Sequence, residues 1–239
     1  MKVSAIIPAA GLGIRMGANV PKQFLLLDGK PILHHTLSVL SQCSIVDEIV
    51  VVVSDKEVEK TRQEIQRSHP KVTKIIAGGK ERQDSVSNGL LNLDSGTDIV
   101  VVHDGVRPFV SSDLVRETVE AARDFGAAIA AIPVSDTIKK VNDEGLVERT
   151  VDRGGLWRVQ TPQTFQVSLL KEAFEKARAD NFYGTDESSL IEYMGRDVKV
   201  IPGSEFNIKI TRSDDLILGE KIAALVKANG SQSQTESLL

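Results

Sequence analysis

The sequence has a single cysteine, few aromatic residues, no excess of positive charge and no long hydrophobic run. Cys43 alone cannot form an internal disulfide, so a secreted disulfide-rich scaffold and a cysteine-rich zinc module are both excluded. The 29 Lys and Arg residues are outnumbered by 33 Asp and Glu residues, which gives a net charge of −4. Non-specific nucleic-acid binding needs a basic surface, so we expect no nucleic-acid partner.

Hydrophobic residues make up 41% of the chain, but none of their runs approaches the ~20 residues that a membrane-spanning helix needs. The first run, Val3–Ile7, leads directly into Pro8 and a glycine-rich segment, which is unlike a signal peptide. A chain of 239 residues is long enough to bury a core without disulfides. These features predict a soluble protein of a reducing compartment, the cytoplasm, with no membrane partner.

Short runs of β-branched residues alternate along the chain with longer amphipathic segments. Five of the short runs are apolar on both faces, which is typical of strands covered by helices on two sides. These runs are Val3–Ile7, Ile49–Val53, Val72–Ile76, Ile99–Val102 and Ala128–Ile132. The alternation predicts an α/β fold with a Rossmann-like, mostly parallel sheet flanked by helices.

Helix starts and apolar spacing predict some details of these helices. A cap at Ser112 is expected to begin a helix whose buried face ends at Phe125. The last helix is expected to begin near Asp214 and Asp215, because acidic side chains are favoured at the positive end of a helix. Its spacing predicts a buried face formed by Leu218, Ile222 and Leu225.

One region is too polar to enter the central sheet. The stretch from Asp136 to Thr150 is polar and β-branched, and Asp143–Gly145 supplies a turn, so it predicts a β-hairpin. Because a hairpin with little core is marginally stable alone, we expect this protruding arm, about residues 134–155, to rest on a second subunit. The rest predicts a single domain over residues 1–228, followed by a disordered low-complexity tail over 229–239.

The first strand leads into a glycine-rich segment, Pro8-Ala9-Ala10-Gly11-Leu12-Gly13-Ile14-Arg15-Met16-Gly17. Small residues after a strand let backbone N–H groups approach phosphate oxygens. Two common nucleotide motifs are excluded: Gly17 falls one position too late for the dinucleotide fingerprint, and Ala18-Asn19 is not the Lys-Ser/Thr of a P-loop. Arg15 and Lys22 are each unremarkable alone, but two cations beside a glycine loop are suited to holding a triphosphate.

Two further strands also end in polar segments. After the third come Gly78-Gly79-Lys80-Glu81-Arg82-Gln83-Asp84-Ser85, where the glycine pair permits close approach of a flat ligand and Ser85 is expected to cap a helix. After the fourth comes His103-Asp104-Gly105-Val106-Arg107-Pro108. Asp104 is a natural Mg²⁺ ligand there, because Mg²⁺ prefers one or two carboxylates together with phosphate oxygens. A simple Asp104–Arg107 salt bridge is the alternative, and we interpret His103 as structural.

Taken together, these segments resemble the 2-C-methyl-D-erythritol 4-phosphate cytidylyltransferase family of the non-mevalonate isoprenoid pathway. The resemblance extends from Val3 to about Leu218 and includes Pro21-Lys22-Gln23, Thr150–Trp157 and Thr185-Asp186-Glu187. It implies a fold of the nucleotide-diphospho-sugar transferase type. It also implies transfer of the cytidylyl group of CTP to 2-C-methyl-D-erythritol 4-phosphate with release of pyrophosphate, by in-line attack on the α-phosphorus, with Mg²⁺ as cofactor.

The resemblance also implies residue roles. Four cations are implied to be catalytic: Arg15, Lys22, Arg153 and Lys209. Contacts to CTP are implied for Pro8, Ala9, Ala10, Gly11, Gly13, Gly79, Arg82, Ser85 and Asp104, the last of which would also bind the metal. Contacts to the erythritol phosphate are implied for Arg107, Thr137, Arg153, Thr161 and Thr185. In the family the arm is exchanged within a homodimer, so Thr137 and Arg153 would reach the neighbouring site. The chain departs from the family pattern at Lys80, where an acidic residue is expected, and at Gly105-Val106.

Three alternatives stay open at this point. A cytidylyltransferase for another polyol phosphate, such as ribitol 5-phosphate, would share the glycine loop and the Asp104–Arg107 segment. A transferase that uses GTP or UTP is the second alternative, although the pocket from Gly78-Gly79 to Ser85 argues against it. A nucleotide sensor that binds without turnover could dispense with Asp104 and with the cations for the acceptor.

Overall fold

The computed structural model describes residues 1–11, 21–65 and 67–236, with side chains as far as residue 228. The strands are β1 (Val3–Pro8), β2 (Leu26–Leu27), β3 (Lys30–Pro31), β4 (Glu48–Val53), β5 (Val72–Ala77), β6 (Ile99–Val102), β7 (Ala127–Pro133), β8 (Ile138–Val141), β9 (Val147–Val151), β10 (Trp157–Gln166) and β11 (Lys199–Pro202). The helices are α1 (Ile32–Gln42), α2 (Val58–Ile65), α3 (Arg82–Leu91), α4 (Ser112–Phe125), α5 (Val167–Ala179), α6 (Glu187–Tyr193) and α7 (Ser213–Glu236).

Seven strands form one sheet in the order β11-β7-β10-β6-β1-β4-β5. β1 pairs in parallel with β4 and β6, β4 with β5, and β11 with β7, so the predicted mostly parallel α/β sheet is confirmed. Within this sheet β10 is antiparallel to both of its neighbours, β6 and β7. Gln163 in β10 lies opposite Val102, the last residue of β6. The first half of β10 therefore extends beyond the carboxyl end of β6, toward the edge where parallel sheets bind ligands.

The sheet is covered on both faces, as the apolar runs predict. Ile7 of β1 packs in a cluster with Leu33 of α1 and Val115 of α4. Its neighbour Ile6 points to the other face and packs in a cluster with Leu170 of α5. This alternation along one strand fixes the register, because a shift by one residue would exchange the two faces. Among the helices described, none is both long and apolar enough to cross a bilayer.

β8 and β9 form a separate two-stranded sheet, which confirms the predicted hairpin arm. Asn142 closes its turn, because its Oδ1 accepts hydrogen bonds from the backbone N–H groups of Glu144 and Leu146, at 3.1 and 2.9 Å. Val141, Leu146 and Val147 are exposed. The arm thus presents apolar side chains that this chain does not cover.

Several local predictions were wrong. Ser111, one residue before the predicted Ser112, caps α4 by accepting a hydrogen bond from Leu114 N at 3.1 Å. Phe125 is exposed because it ends that helix next to Gly126.

The face of α7 that contacts the rest of the chain also differs from the prediction. Ile222 is 3% exposed, but Leu218 is 50% exposed, and Leu225 is exposed as well. The contact is centred one residue later than predicted, on Gly219, where an added Cβ would lie 3.2 Å from side-chain atoms of Ile210 and Leu27.

α7 is assigned as far as Glu236, and so it overlaps the segment 229–239 for which disorder is predicted from its low complexity. That prediction stays untested.

Candidate active site

A cleft of about 260 Å³ opens at the carboxyl ends of β1, β5 and β6. Eight of the nine residues predicted to contact CTP line it, namely Pro8, Ala9, Ala10, Gly11, Gly79, Arg82, Ser85 and Asp104. Lys22 and Lys209 line the same cleft, from the segment after the glycine loop and from the segment before α7. The ninth residue, Gly13, and the predicted catalytic Arg15 lie outside the described residues. We call this cavity the nucleotide cleft.

A second cleft of about 230 Å³ adjoins the first and shares Arg82, Asp104 and Lys209 with it. Its other lining residues are Arg107, Val159, Gln160, Thr161, Gln163, Thr185 and Asp186. Three of these, Arg107, Thr161 and Thr185, were predicted to contact the acceptor substrate. We call this cavity the acceptor cleft. The shared residues form the wall between the two cavities, so groups bound on either side would meet at Asp104 and Lys209.

Two predicted acceptor residues do not reach either cleft of their own chain. Thr137 and Arg153 are exposed at the base of the arm. The guanidinium of Arg153 donates a hydrogen bond to the backbone oxygen of Ser135 across that base. Any role for this pair in catalysis therefore requires the site of another subunit.

Asp104 is the buried centre of the wall between the clefts. Its Oδ2 lies 2.9 Å from Lys209 Nζ and 3.4 Å from Arg107 Nε, and its Oδ1 lies 3.3 Å from Arg82 Nε. Burial alone would raise the pKa of this carboxyl group, but the charges of Lys209, Arg82 and Arg107 outweigh it and hold the pKa well below its ordinary range. Asp104 is therefore ionised throughout the physiological range, and it positions three cations.

Arg82 is held from its other side by Glu187, the first residue of α6. Arg82 Nη1 lies 2.7 Å from both Oε1 and Oε2 of Glu187, which is almost fully buried. Burial lowers the pKa of Arg82, but Glu187 and Asp104 more than reverse this, so the guanidinium stays charged. Burial raises the pKa of Glu187, against the opposing effect of Arg82. Arg82 therefore has little freedom to leave the wall.

A buried chain of hydrogen bonds fixes the backbone at Asp104. His103 Nε2 lies 3.1 Å from the carbonyl oxygen of Arg107, so this nitrogen must carry the proton and donate. Burial lowers the pKa of His103 to about 4, so the ring is neutral and its Nδ1 accepts from Thr161 Oγ1 at 3.0 Å. The same hydroxyl accepts from Asp104 N at 3.1 Å. Thr161 lines the acceptor cleft, and its hydroxyl positions Asp104.

The loop after β5 packs tightly against the glycine-rich segment after β1. A Cβ on Gly78 would lie 2.7 Å from Ala10 Cβ and from Ser85 Oγ, so only glycine allows this approach. The predicted helix cap at Ser85 was wrong, because α3 begins at Arg82 and is capped by Glu81. Ser85 instead accepts a hydrogen bond from Gly79 N and donates one to Glu81 O, each at 3.1 Å. Its hydroxyl therefore holds the floor of the nucleotide cleft.

The two departures from the family pattern lie at the nucleotide cleft. Lys80 is exposed and lines it. Gly105 is held on both sides, since its N–H donates to Pro8 O at 3.2 Å and its carbonyl accepts from Thr36 Oγ1 at 3.1 Å. The substitution at Gly105 therefore leaves the segment after β6 tied to β1 and α1.

Sequence reasoning left several residues of the site without a role. Glu187, which holds Arg82 but lines neither cleft, was noted only within a short motif, and Gln23 only as the neighbour of Lys22. Val159 was missed, and Gln160 and Gln163 were given no role, because β10 was not recognised as a strand. A run that begins with Trp-Arg-Val and continues with four polar residues and a proline lacks the apolar continuity of the other strands. The one feature that could have indicated a strand here is the position of this run directly after the arm.

The chemistry of the two clefts is electrostatic. The cations Lys22, Arg82, Arg107 and Lys209 face them around one central carboxylate. Within residues 1–11, 21–65 and 67–236, no group of three His, Cys, Asp or Glu side chains is arranged to hold a metal ion. The neutral His103 is used in a structural hydrogen bond on each side. The arrangement is suited to bring two phosphate-bearing molecules together by neutralising their charge.

Comparison with known proteins gives a consistent result. The family model for 2-C-methyl-D-erythritol 4-phosphate cytidylyltransferase (IspD) matches residues 3–224. The protein of that name from Syntrophus aciditrophicus (strain SB) is 48% identical over 231 residues, which cover 96% of this chain and 98% of the relative. The one from Geotalea uraniireducens (strain Rf4) is 46% identical over 224 residues, covering 92% and 96%.

Solved structures agree with this result. The 4-diphosphocytidyl-2C-methyl-D-erythritol synthase from Anaerococcus prevotii DSM 20548 superposes with a TM-score of 0.82 at 35% identity, covering 93% of this chain and 98% of that one. The 2-C-methyl-D-erythritol 4-phosphate cytidylyltransferase from Thermus thermophilus superposes with a TM-score of 0.77 at 34% identity, covering 94% and 100%.

Proposed function

This chain belongs to the 2-C-methyl-D-erythritol 4-phosphate cytidylyltransferase family, and from that premise we propose which of its residues carry the reaction. The enzyme transfers the cytidylyl group of CTP to 2-C-methyl-D-erythritol 4-phosphate, giving 4-diphosphocytidyl-2-C-methyl-D-erythritol and pyrophosphate in isoprenoid precursor biosynthesis. The observation that carries the assignment of residues is the pair of adjoining clefts that share Asp104, Arg82 and Lys209. CTP takes the nucleotide cleft, and the erythritol phosphate takes the acceptor cleft.

The nucleophile needs no general base. A phosphate monoester has a second pKa of about 6, so it is already largely dianionic at neutral pH. Its oxygen attacks the α-phosphorus of CTP in line with the leaving pyrophosphate. The barrier is the approach of one anion to another, so the protein must supply positioning and neutralising charge.

The cations divide this work by their position. Lys22 lines only the nucleotide cleft and neutralises the triphosphate, together with Arg15 from the glycine-rich segment. Arg107 lines only the acceptor cleft and faces the incoming phosphate. Lys209 and Arg82 line both clefts, so they stabilise the charge that develops between the two phosphates. Ser85 and the loop of Gly79 hold the base at the floor of the nucleotide cleft.

We further propose that Asp104 would help to hold a Mg²⁺ ion together with the triphosphate of CTP. Asp104 could supply one ligand to the ion, because it is ionised and its Oδ1 has only one long contact among the described residues, 3.3 Å from Arg82 Nε. Its Oδ2 is taken by Lys209 and Arg107. Phosphate oxygens and water would supply the remaining ligands, which is the usual coordination of Mg²⁺. When bound, the ion offsets the negative charge of the triphosphate.

We propose a homodimer in which each arm completes the site of the partner. In support, the strands of the arm pair only with each other in the described sheets, and a two-stranded hairpin is marginally stable alone. Its exposed Val141, Leu146 and Val147 provide the apolar contact. Arg153 and Thr137 would then reach the acceptor cleft of the partner, where Arg153 holds the substrate phosphate.

The proposal is tested by measuring pyrophosphate release with CTP and each of two acceptors, 2-C-methyl-D-erythritol 4-phosphate and ribitol 5-phosphate. We expect kcat/KM to be far higher for the methylerythritol phosphate. Equal or reversed preference would favour the ribitol alternative, and tight CTP binding without turnover of either acceptor would favour a nucleotide sensor. Parallel reactions with GTP and UTP test the choice of base.

A further inference from the structure

The acceptor cleft contains one apolar contact. Of its lining residues in the described part of the chain, Val159 is the single one with a hydrocarbon side chain. Val159 lines this cleft and is 43% exposed. The other lining side chains, among them Thr185 and Gln163, offer hydrogen-bonding groups or charge.

The position of Val159 is fixed by its neighbours. Its backbone pairs with Ala131 of β7, and the register of β10 then shifts before Gln163 pairs with Ile129. The next residue, Gln160, donates from Nε2 to Ser204 O at 2.8 Å and is buried. Val159 therefore stands on a fixed strand at the start of an irregularity, and such bulges commonly direct side chains toward active sites.

The acceptor also has one apolar substituent. If its phosphate lies against the cations of the wall, Lys209 and Arg107, its carbon chain must follow the rest of the cleft. The hydroxyl groups of that chain can pair with polar lining groups, but the methyl group on carbon 2 cannot. A methyl group placed against polar side chains would remove their hydration without replacing it, which is unfavourable.

We propose that Val159 contacts the 2-C-methyl group of the acceptor and so distinguishes it from unbranched polyol phosphates. The inference rests on the proposed function. It assigns to one residue the part of the specificity that charge cannot supply, because both branched and unbranched polyol phosphates carry the same phosphate. A methyl group in an apolar contact contributes about a 10-fold preference or somewhat more.

The test compares Val159→Thr and Val159→Ala with the unaltered dimer. Threonine has nearly the shape of valine but replaces a methyl group with a hydroxyl, so it changes polarity more than volume. The kcat/KM for pyrophosphate release is measured with 2-C-methyl-D-erythritol 4-phosphate and with D-erythritol 4-phosphate. Where turnover of the unbranched compound is slow, its affinity is measured as an inhibition constant.

We expect both variants to lower kcat/KM for the methylated acceptor about 10-fold. The kcat/KM or inhibition constant for D-erythritol 4-phosphate and the KM for CTP should stay unchanged. Val226→Thr, at another exposed valine far along α7, is the matched control and should alter neither acceptor.

An equal loss for both acceptors would overturn the proposal and make Val159 a structural or subunit contact. Unchanged selectivity in both variants would overturn it as well. Failure of the unaltered enzyme to use the methylated acceptor at all would instead refute the proposed function.

Discussion

Of the three cations that pair with Asp104 in the wall between the two clefts, Lys209 lies closest, with 2.9 Å between its Nζ and Oδ2 of Asp104. The two residues come from distant parts of the chain, the segment before α7 and the end of β6. Their pairing holds a flexible lysine between the two clefts, where we propose that the substrates meet. A cation that is already in place need not reorganise when charge develops in the transition state.

Lys209→Ala should therefore lower kcat by about 10²–10³-fold, the usual effect of losing one preorganised charge contact at the transition state. The fold should persist, because Asp104 keeps Arg82 and Arg107 as partners. Steady-state pyrophosphate release gives kcat, and circular dichroism verifies folding. Lys176→Ala, which removes an exposed lysine paired with Asp180, is the matched control. A kcat near that of the unaltered enzyme would remove Lys209 from the mechanism.

Lys22→Ala should also lower kcat by about two orders of magnitude, because Lys22 lines the nucleotide cleft. Its effect should differ from that of Lys209 in one respect. Since Lys22 does not line the acceptor cleft, the KM for 2-C-methyl-D-erythritol 4-phosphate should stay the same. The substitution should change only kcat and the affinity for CTP. A change confined to the acceptor KM would contradict this assignment.

The pair of Arg82 and Glu187 allows a comparison between a buried and an exposed ion pair with two contacts each. Glu187→Gln should lower the free energy of unfolding by about 3–5 kcal/mol, because it removes the closer of the two buried charges that balance the guanidinium of Arg82 and leaves only the longer contact with Asp104. Arg158 and Glu205 form two such contacts, at 2.9 and 2.8 Å, on the surface. Glu205→Gln should change stability by about 1 kcal/mol or less.

Urea unfolding at constant ionic strength measures both variants. Glu187→Gln should in addition raise the KM for both substrates, since Arg82 lines both clefts. Equal losses of stability in the two variants would show that burial does not make the Arg82–Glu187 ion pair contribute more to stability than the Arg158–Glu205 pair.

Subunit mixing tests the exchanged arm. Arg153→Ala should raise the KM for 2-C-methyl-D-erythritol 4-phosphate more than the KM for CTP. When this variant is mixed in equal amounts with Lys209→Ala and the subunits are re-equilibrated, half of the dimers should be mixed, each with one intact site. Activity should then recover to about a quarter of the unaltered level, from the symmetry of a twofold dimer. If each arm serves its own subunit, both sites of a mixed dimer are defective and no recovery occurs.

The imidazoles of His34 and His69 predict a pH dependence of stability away from the clefts. His69 Nε2 lies 3.3 Å from His34 Nδ1, and a hydrogen bond there needs one of the two nitrogens without a proton. Burial, and then the charge of His34, lower the pKa of His69 to about 4 from an ordinary 6.5. Below pH 6.5 the unfolded chain takes up a proton at this residue that the folded chain does not.

The stability of the protein should therefore be unaffected by His69 above pH 6.5 and should fall as the pH decreases from 6.5 toward 4. The slope contributed by one such group is at most about 1.4 kcal/mol per pH unit. Urea unfolding between pH 7 and 4.5 measures this slope in the unaltered protein and in His69→Gln, which should show a shallower decline. Parallel declines would exclude His69 as a cause.

Much of the fold could be predicted because it depends on local patterns. The β4, β6 and β7 strands contain continuous apolar runs, and β1 is interrupted only by the small Ser4; such runs are informative wherever both faces of a sheet are covered. The edge strand β5 was expected to be apolar on both faces, but its Thr73 and Lys74 are polar and exposed. The arm was predictable for the opposite reason, its polarity. β10 was not, because the residues that line the acceptor cleft interrupt its apolar pattern. Because polar residues that line a cleft replace apolar ones, the strand that contributes them is the hardest to predict from hydrophobic pattern.

The candidate site was predictable where it lies at the ends of parallel strands. Gly79 and Asp104 follow β5 and β6 directly, and topology alone brings such positions together. The Arg82–Glu187 pair joins residues 105 positions apart, and no local pattern marks either as the partner of the other. Val159 reaches the acceptor cleft only because β10 runs antiparallel, which sequence periodicity did not indicate.

The direct succession of arm and β10 has a thermodynamic consequence. Only residues 152–156 separate β9 from the strand that carries Val159 and Thr161. In the proposed homodimer, a subunit contact that immobilises the arm would also immobilise the start of that strand, and a polyol phosphate bound in the acceptor cleft would do the same from the opposite direction. Association of the protomers and affinity for the acceptor would then reinforce one another reciprocally. Dilution would weaken acceptor binding, and saturating acceptor would slow dissociation of the protomers.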